Sequence, residues 1–354
     1  MIMNNIIDVH THFLPKSYVD ALKKNVVGDP DGWPTPSWNE QTTLGFMKKN
    51  KIGYSLLSLS SPHINFGDKE ETVYLAQNTN DYGRKLNQQY SSQLGYLASL
   101  PLPYENESVD EINRSLSNGA KGFAVPSNSR GIYFGTPLFE KVYERLNQEH
   151  AVVLMHPNQT PVKPMNVNVG MPTPLMGFLM DTTMTFMNLL QHHFFDKYPD
   201  IRLIIPHGGA FMPILADRDA PYTKETYKSD MFAAMEHVYF DTAGAVFPRQ
   251  LPMLLTLADP THILYGSDIP YTNLSLANQL LNMFTEAGGV KAKFKFQAVN
   301  TASKLGHFID KKPKLAKYKT LIDESQNMLT GADILTPRLR DMILHDNAVK
   351  LFDL

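Results

Sequence analysis

The chain has 354 residues, 43% of them hydrophobic, with a formal net charge of −2 and no cysteine. That balance excludes a field strong enough to recruit nucleic acid or an anionic membrane, and no run of about 18 apolar residues offers a membrane span. Without cysteine there are no disulfides and no thiolate ligands, so any bound metal must be held by nitrogen and oxygen, a composition that also fits a cytoplasmic protein.

Met1 to Ile7 lacks the charged start, apolar middle and cleavage site of a signal peptide, so none is expected. Short apolar runs bounded by polar, Gly or Pro residues predict strands at Asn5–Val9, Tyr54–Leu59, Leu94–Leu100, Gly122–Val125, Ala151–Met155, Leu203–Pro206, Val238–Phe240 and Ile263–Tyr265. Helical patterns lie between them. The clearest are Lys69–Gln89, Pro137–Gln148 and Thr182–Lys197, the last with Phe186, Leu189, Leu190 and Phe194 at helical spacing. Eight strands alternating with helices predict a parallel sheet closed as a (β/α)8 TIM barrel, with a doubly wound open sheet as the alternative. The whole chain, 1–354, reads as one domain with a Lys-rich insertion at about 288–336. Pro15 to Trp38 and Pro157 to Leu179 read as long loops. Both leave strand ends where barrel enzymes build their pockets, so they are candidate lids or pocket walls.

The chemistry-bearing residues gather at those same strand ends. In Asp8-Val9-His10-Thr11-His12, residues two apart point to one side of a strand, so His10 and His12 can converge on one ion. His156 ends a Val-Val-Leu-Met run, His207 follows Leu-Ile-Ile-Pro and precedes two glycines, and Asp268 follows Ile-Leu-Tyr-Gly-Ser. Neutral imidazoles leave a divalent ion Lewis acidic, and one carboxylate beside it can carry a proton. Asp241 is a candidate either to orient a ligand imidazole or to cap the next helix. The remaining histidines, His63 and His192 among them, read as structural.

With these residues in place, the chain resembles the amidohydrolase superfamily. More narrowly, it is similar to the branch holding aminocarboxymuconate-semialdehyde, γ-resorcylate and 6-methylsalicylate-type decarboxylases. The matching stretches are Ile7 to Pro15, Leu154 to Pro157, Ile205 to Phe211, Tyr239 to Ala243, Leu264 to Tyr271 and Asp346 to Phe352. The resemblance implies one divalent ion on His10, His12, His156 and Asp268, zinc in most members and manganese in some. It implies His207 as a catalytic histidine beside the ion, with Asp268 also catalytic. Arg218, eleven residues after His207, matches an arginine that crosses a dimer interface to meet a substrate carboxylate, so a homodimer is expected. A second arginine of the semialdehyde decarboxylase is replaced here: aligning on Met47 puts Gly45 in its place, with Thr43 nearby. That argues against a muconate semialdehyde as substrate.

The expected function is non-oxidative decarboxylation of an aromatic, ortho-hydroxylated acid, with no nucleic-acid or membrane partner. Phe13, Trp33, Met171 and Met176 are candidate pocket walls, Phe13 and Trp33 foremost. A lactonase-type hydrolase or a hydratase would use the same mononuclear site, and a catalytically silent barrel is the reading from outside enzymology.

Overall fold

In the computed structural model, which describes residues 6–161, 170–285 and 335–354, the eight expected strands are all present with ends moved by a few residues. They are β1 (Ile6–His12), β2 (Ile52–Ser58), β3 (Leu94–Ser99), β4 (Gly122–Pro126), β5 (Val152–His156), β6 (Arg202–Ile205), β7 (Val238–Asp241) and β8 (Ile263–Leu264). Each pairs in parallel with the next. Closure comes from Val9 N–H donating to the Tyr265 carbonyl (3.0 Å), Asp268 N–H to the His10 carbonyl (2.9 Å) and His12 N–H to the Ile269 carbonyl (2.7 Å). The sheet therefore has no free edge and is a (β/α)8 barrel.

The helices are α1 (Lys16–Asn25), α2 (Glu40–Asn50), α3 (Lys69–Gln89), α4 (Glu105–Ser117), α5 (Glu140–Gln148), α6 (Gly177–Gln191), α7 (Phe194–Lys197), α8 (Met212–Tyr222), α9 (Met231–Ala234), α10 (Gln250–Leu254), α11 (Leu274–Thr285), α12 (Pro337–Asp341) and α13 (Asn347–Phe352). The helix α3 starts where Asp68 accepts from Glu71 N–H, with Glu70 and Glu71 in its first turn. It buries Thr72, Leu75, Ala76, Thr79, Asn80, Gly83 and Leu86 against the sheet. Gly83 is required there, because a β-carbon would stand 2.9 Å from the Tyr96 ring.

Two apolar layers follow from strand alternation. Ile7, Val9, Leu56, Leu97, Ala124, Leu154, Ile204 and Leu264 fill the barrel interior, joined from below by Ala348 and Phe352 of α13. The opposite faces, with Leu57, Phe123, Val153, Leu203 and Phe240, pack on the helices. Asn347 fastens α13 beneath the barrel, donating to the carbonyls of Pro260 (2.9 Å) and Ile263 (2.8 Å).

Two expected elements differ. Pro15 to Trp38 contains α1, which buries Tyr18, Ala21 and Leu22, and then a short 3-10 turn at Pro30–Gly32. The spread of Gly and Pro through its second half masked the helix in its first. The single helix expected over Thr182–Lys197 is two: α6 begins earlier, at Gly177, and the chain breaks at His193, whose φ is 54°. Phe194 nevertheless stays buried, because α7 resumes on the same face. The Lys-rich stretch lies outside the described residues, apart from Leu335 and Thr336 at its end.

Candidate active site

A bulge, not plain alternation, delivers the first histidines. Ile7 and Val9 face the barrel interior, so an unbroken strand would turn His10 toward the helices. The register of β1 on β2 shifts between Asp8 and Thr11, and beyond the shift His10 and His12 both reach the centre. Their Nε2 atoms are 2.9 Å apart. His156, at the end of β5, stands with its ring centroid 5.0 Å from that of His12 and 5.4 Å from that of His10. Asp268, just past β8, places Oδ1 3.2 Å from His12 Nε2 and 3.8 Å from His10 Nε2. His207, after β6, has its ring centroid 5.3 Å from that of His10.

The outward nitrogens settle the tautomers. His10 Nδ1 donates to Asp241 Oδ2 (2.7 Å), His12 Nδ1 to the Ser58 carbonyl (3.2 Å) and His156 Nδ1 to the Pro157 carbonyl (2.8 Å). Each bond puts the proton on Nδ1 and turns the Nε2 lone pair inward. Two lone pairs facing one another across 2.9 Å are favourable only with a cation or a shared proton between them. Among the described residues, the sets His10–His12–His156 and His10–His207–Asp268 hold their donor atoms close enough for one ion. Three imidazoles and a carboxylate form a nitrogen–oxygen set suited to a borderline divalent metal.

Electrostatics sharpens the roles. Burial acts to raise the Asp268 carboxyl, but the bond to His12 and the charge on His10 outweigh it and hold it at about 2. Burial, reinforced by the positive His10, pushes His207 down to about 4, so its imidazole is neutral at pH 7. His12 and His156 are also lowered, again by burial first. For His10 the balance reverses. Burial opposes the charged form, yet the carboxylates of Asp241, Asp268 and Asp8 raise it to about 9. With no cation present, His10 is therefore where a shared proton resides.

Both groups with the most freedom to act sit in strained backbone. His207 has φ 56° and Asp268 φ 58°, the left-handed region that costs a non-glycine residue of order 1–3 kcal/mol. Neighbours hold them there. Gln250 Nε2 donates to the His207 carbonyl (2.6 Å) and Asp241 Oδ1 accepts from His207 N–H (3.0 Å). Thr272 Oγ1 donates to Asp268 Oδ2 (3.1 Å). Asp8, buried below, accepts from His10 N–H, Thr11 Oγ1 and Ser267 N–H, tying β1 to the residue before Asp268. Its burial pushes its carboxyl up to about 6.

The structure thus brings His10, His12, His156, His207 and Asp268 together, and Asp241 orients rather than caps a helix. It does not bring every candidate there. Phe13 is fully buried in the core, edge-on to Trp38 and stacked with Tyr82. Trp33 is half-buried, as is Met176, and Met171 is exposed. Arg218 lies exposed on α8 with no ion pair among the described residues. The two loops do meet: a β-carbon on Gly32 would stand 3.5 Å from Pro172 Cα. Sequence reading passed over Gln250, Asp8 and Ser60, whose Oγ stands 3.5 Å from His156 Nε2. Asp8 alone had a signal, a carboxylate inside an apolar run beside His10.

A family profile described as amidohydrolase matches residues 7–354. The chain belongs to that family. Among relatives, the decarboxylase macB of Penicillium terrestre is 34% identical over 80% of this chain and 89% of its own length. The 6-methylsalicylic acid decarboxylase of Penicillium expansum is 29% identical over 75% of this chain and 84% of its own. A crystal structure of an amidohydrolase II is 49% identical with a TM-score of 0.83, covering 99% of this amidohydrolase chain and 100% of that one.

Proposed function

We propose that the chain is a metal-dependent carboxy-lyase that removes CO₂ from an aromatic, ortho-hydroxylated acid without oxidation. The observation that carries the reading is that His10, His12 and His156 hold their donor nitrogens within reach of one ion while Asp268 Oδ1 stands 3.2 Å from His12 Nε2, in a chain whose relatives are named decarboxylases. His10, His12, His156 and Asp268 would hold the ion. Its nitrogen-rich donors favour Zn²⁺, with Mn²⁺ the alternative. When bound, the ion would supply a Lewis acid that gathers the charge of a carboxylate and the adjacent phenolate oxygen.

Asp268, held ionised, would take the proton of the ortho hydroxyl, which the bound ion would acidify, and deliver it to the ring carbon bearing the carboxylate. A carboxylic acid this strong gives its proton readily to carbon. The C–CO₂ bond then breaks, its electron pair restores the aromatic ring, and CO₂ leaves. His207, neutral and fixed by Gln250 and Asp241, offers a hydrogen bond that positions the acid. On α8 the exposed Ile214 and Tyr222 lie one turn to either side of Arg218, and Met180 and Met184 of α6 and Phe232 of α9 are exposed as well. Exposed apolar side chains of this kind support a homodimer, with Arg218 of one subunit meeting the substrate of the other. The compartment proposed is the cytoplasm, on the absence of cysteine.

The test is direct. Protein reconstituted with Zn²⁺ or Mn²⁺ is given salicylate, 6-methylsalicylate and the dihydroxybenzoates, and CO₂ is measured. Release from at least one is expected, and loss of it on chelation. Turnover of lactones or esters with no CO₂ from any acid would replace the reading with the hydrolase.

A further inference from the structure

One more buried carboxylate is linked to the strand-end site without touching it. Asp181, on α6, is fully buried, and the three side chains that meet it are neutral. Ser127 Oγ donates to its Oδ2, as does Asn128 Nδ2 (3.0 Å), and the Tyr133 hydroxyl donates to Oδ1 (2.8 Å). Burial pushes its carboxyl up against those bonds. A buried carboxylate among neutral partners is less favourable than an apolar side chain packed in its place, so its presence calls for a role outside packing.

Its bonds lead to His156. Ser127 follows β4, and its N–H donates to the His156 carbonyl (2.8 Å). With its own proton given to Asp181, Ser127 Oγ accepts from Asn158 N–H (2.8 Å). That N–H shares one peptide plane with the Pro157 carbonyl, the group that accepts from His156 Nδ1 at 2.8 Å. Anchoring the N–H therefore fixes where the carbonyl points, and the carbonyl sets the orientation of the ring. The Asn158 side chain is occupied elsewhere, with Ser61 and the carbonyls of Pro62 and Asn128. The donors all run one way: imidazole to carbonyl, peptide N–H to hydroxyl, hydroxyl to carboxylate. Each bond in such a series polarises the next, and a carboxylate at its end strengthens it. His10 has the same device in direct form, with Nδ1 donating to Asp241 at 2.7 Å.

We infer that Asp181 is a positioning residue of the metal site, which sets the ring of His156 through Ser127 and the Pro157–Asn158 peptide. The inference rests on His156 being a ligand in the reading above, and it adds a residue on α6 that tunes this ligand.

Its test separates an effect on His156 from a general loosening of the fold. Asp181→Ala should lower Zn²⁺ affinity about tenfold, read by competition with a chelator. In isotope-labelled histidine spectra of the Zn²⁺-loaded protein, the His156 Nδ1–H should exchange with solvent about tenfold faster, while those of His10 and His12 stay within about twofold of the parent. Asp181→Asn should recover most of both losses, since its carbonyl oxygen still accepts from Ser127 and Asn128 while its NH₂ donates to the Tyr133 oxygen. Unchanged affinity and exchange in Asp181→Ala, faster exchange at all three imidazoles together, or an asparagine variant no better than the alanine one overturns the inference. Should Asp181→Ala not fold, Ser127→Ala decides by the same readings, because it deletes the link and leaves Asp181 with Asn128 and Tyr133. A parent protein that binds no Zn²⁺ overturns the metal reading and the inference together; tight binding indifferent to both substitutions overturns the inference alone.

Discussion

The two carboxylate oxygens of Asp241 serve different groups: Oδ2 lies 2.7 Å from His10 Nδ1, and Oδ1 accepts from the N–H of His207 at 3.0 Å and of Ala243 at 3.0 Å. One side chain at the end of β7 therefore orients a candidate metal ligand and fixes the backbone of the candidate catalytic histidine. Asp241→Asn should disturb both. Every partner of the carboxylate is a donor, so either orientation of the amide sets its NH₂ against a donor. Metal affinity should fall about 10- to 100-fold, read by competition with a chromophoric chelator. Affinity unchanged with full occupancy would show that His10 needs no such partner.

His207 and the candidate metal ligands should separate experimentally at Gln250. Its amide donates to the His207 carbonyl at 2.6 Å and crosses over Gly208, where a β-carbon would meet the glutamine at 2.7 Å. Gln250→Ala should lower kcat about tenfold with metal content intact, since only backbone orientation is lost. Gly208→Ala should cost more, because φ is 64° and the clash is added to the strain. The double variant should recover part of that loss. A Gln250→Ala protein that loses metal instead would place Gln250 with the ligands.

Without metal, stability should peak near pH 6.5. His207 and His63 are held at about 4 and His12 and His156 are lowered, all primarily by burial. Below the ordinary imidazole value the unfolded chain binds more protons, so stability falls as pH drops toward 4, by roughly 3 kcal/mol for one such imidazole. Asp8, raised to about 6, and Asp181, also raised by burial, work the other way over part of that window but are two groups against these four imidazoles. His10, raised to about 9, binds its proton more tightly when folded. Its contribution is complete below the ordinary value and is lost as pH climbs through 9. Urea denaturation between pH 5 and 9.5 checks this; stability rising steadily toward either end would contradict it.

Strand ends were readable because β-branched runs are short, and each ended on a polar residue with a Gly or Pro after it: His156-Pro157, His207-Gly208, Asp268-Ile269-Pro270. Chain order then implied that these residues share one end of a barrel. The bulge in β1 was not readable, since Val9-His10 looks like plain alternation and the shift is set by pairing with β2. Gln250 lies far from any strand end and Ser60 just past β2, and their roles exist only through neighbours the fold brings in, the His207 carbonyl for the first and the His156 ring for the second. Phe13 shows the opposite failure. It sits one residue from His12, yet the chain has already turned outward and its ring joins Trp38 and Tyr82.

Metal loading should expel a proton from the site. His10 and His12 turn their Nε2 atoms together at 2.9 Å, and their Nδ1 protons are committed to Asp241 and the Ser58 carbonyl. In the metal-free protein at neutral pH, His10, raised to about 9 by its carboxylate neighbours, carries the extra proton while His12, lowered by burial, does not. A divalent ion needs both lone pairs, so binding must release that proton. Calorimetric titration of Zn²⁺ at pH 7.5, repeated in buffers of different ionisation enthalpy, should report release of about one proton. The number should shrink toward zero as pH rises past 9, where the free site has already lost it. His10→Gln should bind the ion far more weakly and release almost none. Zero release at pH 7.5 with tight binding would mean that the two imidazoles are both neutral before the ion arrives, and that their facing lone pairs are tolerated by the fold alone.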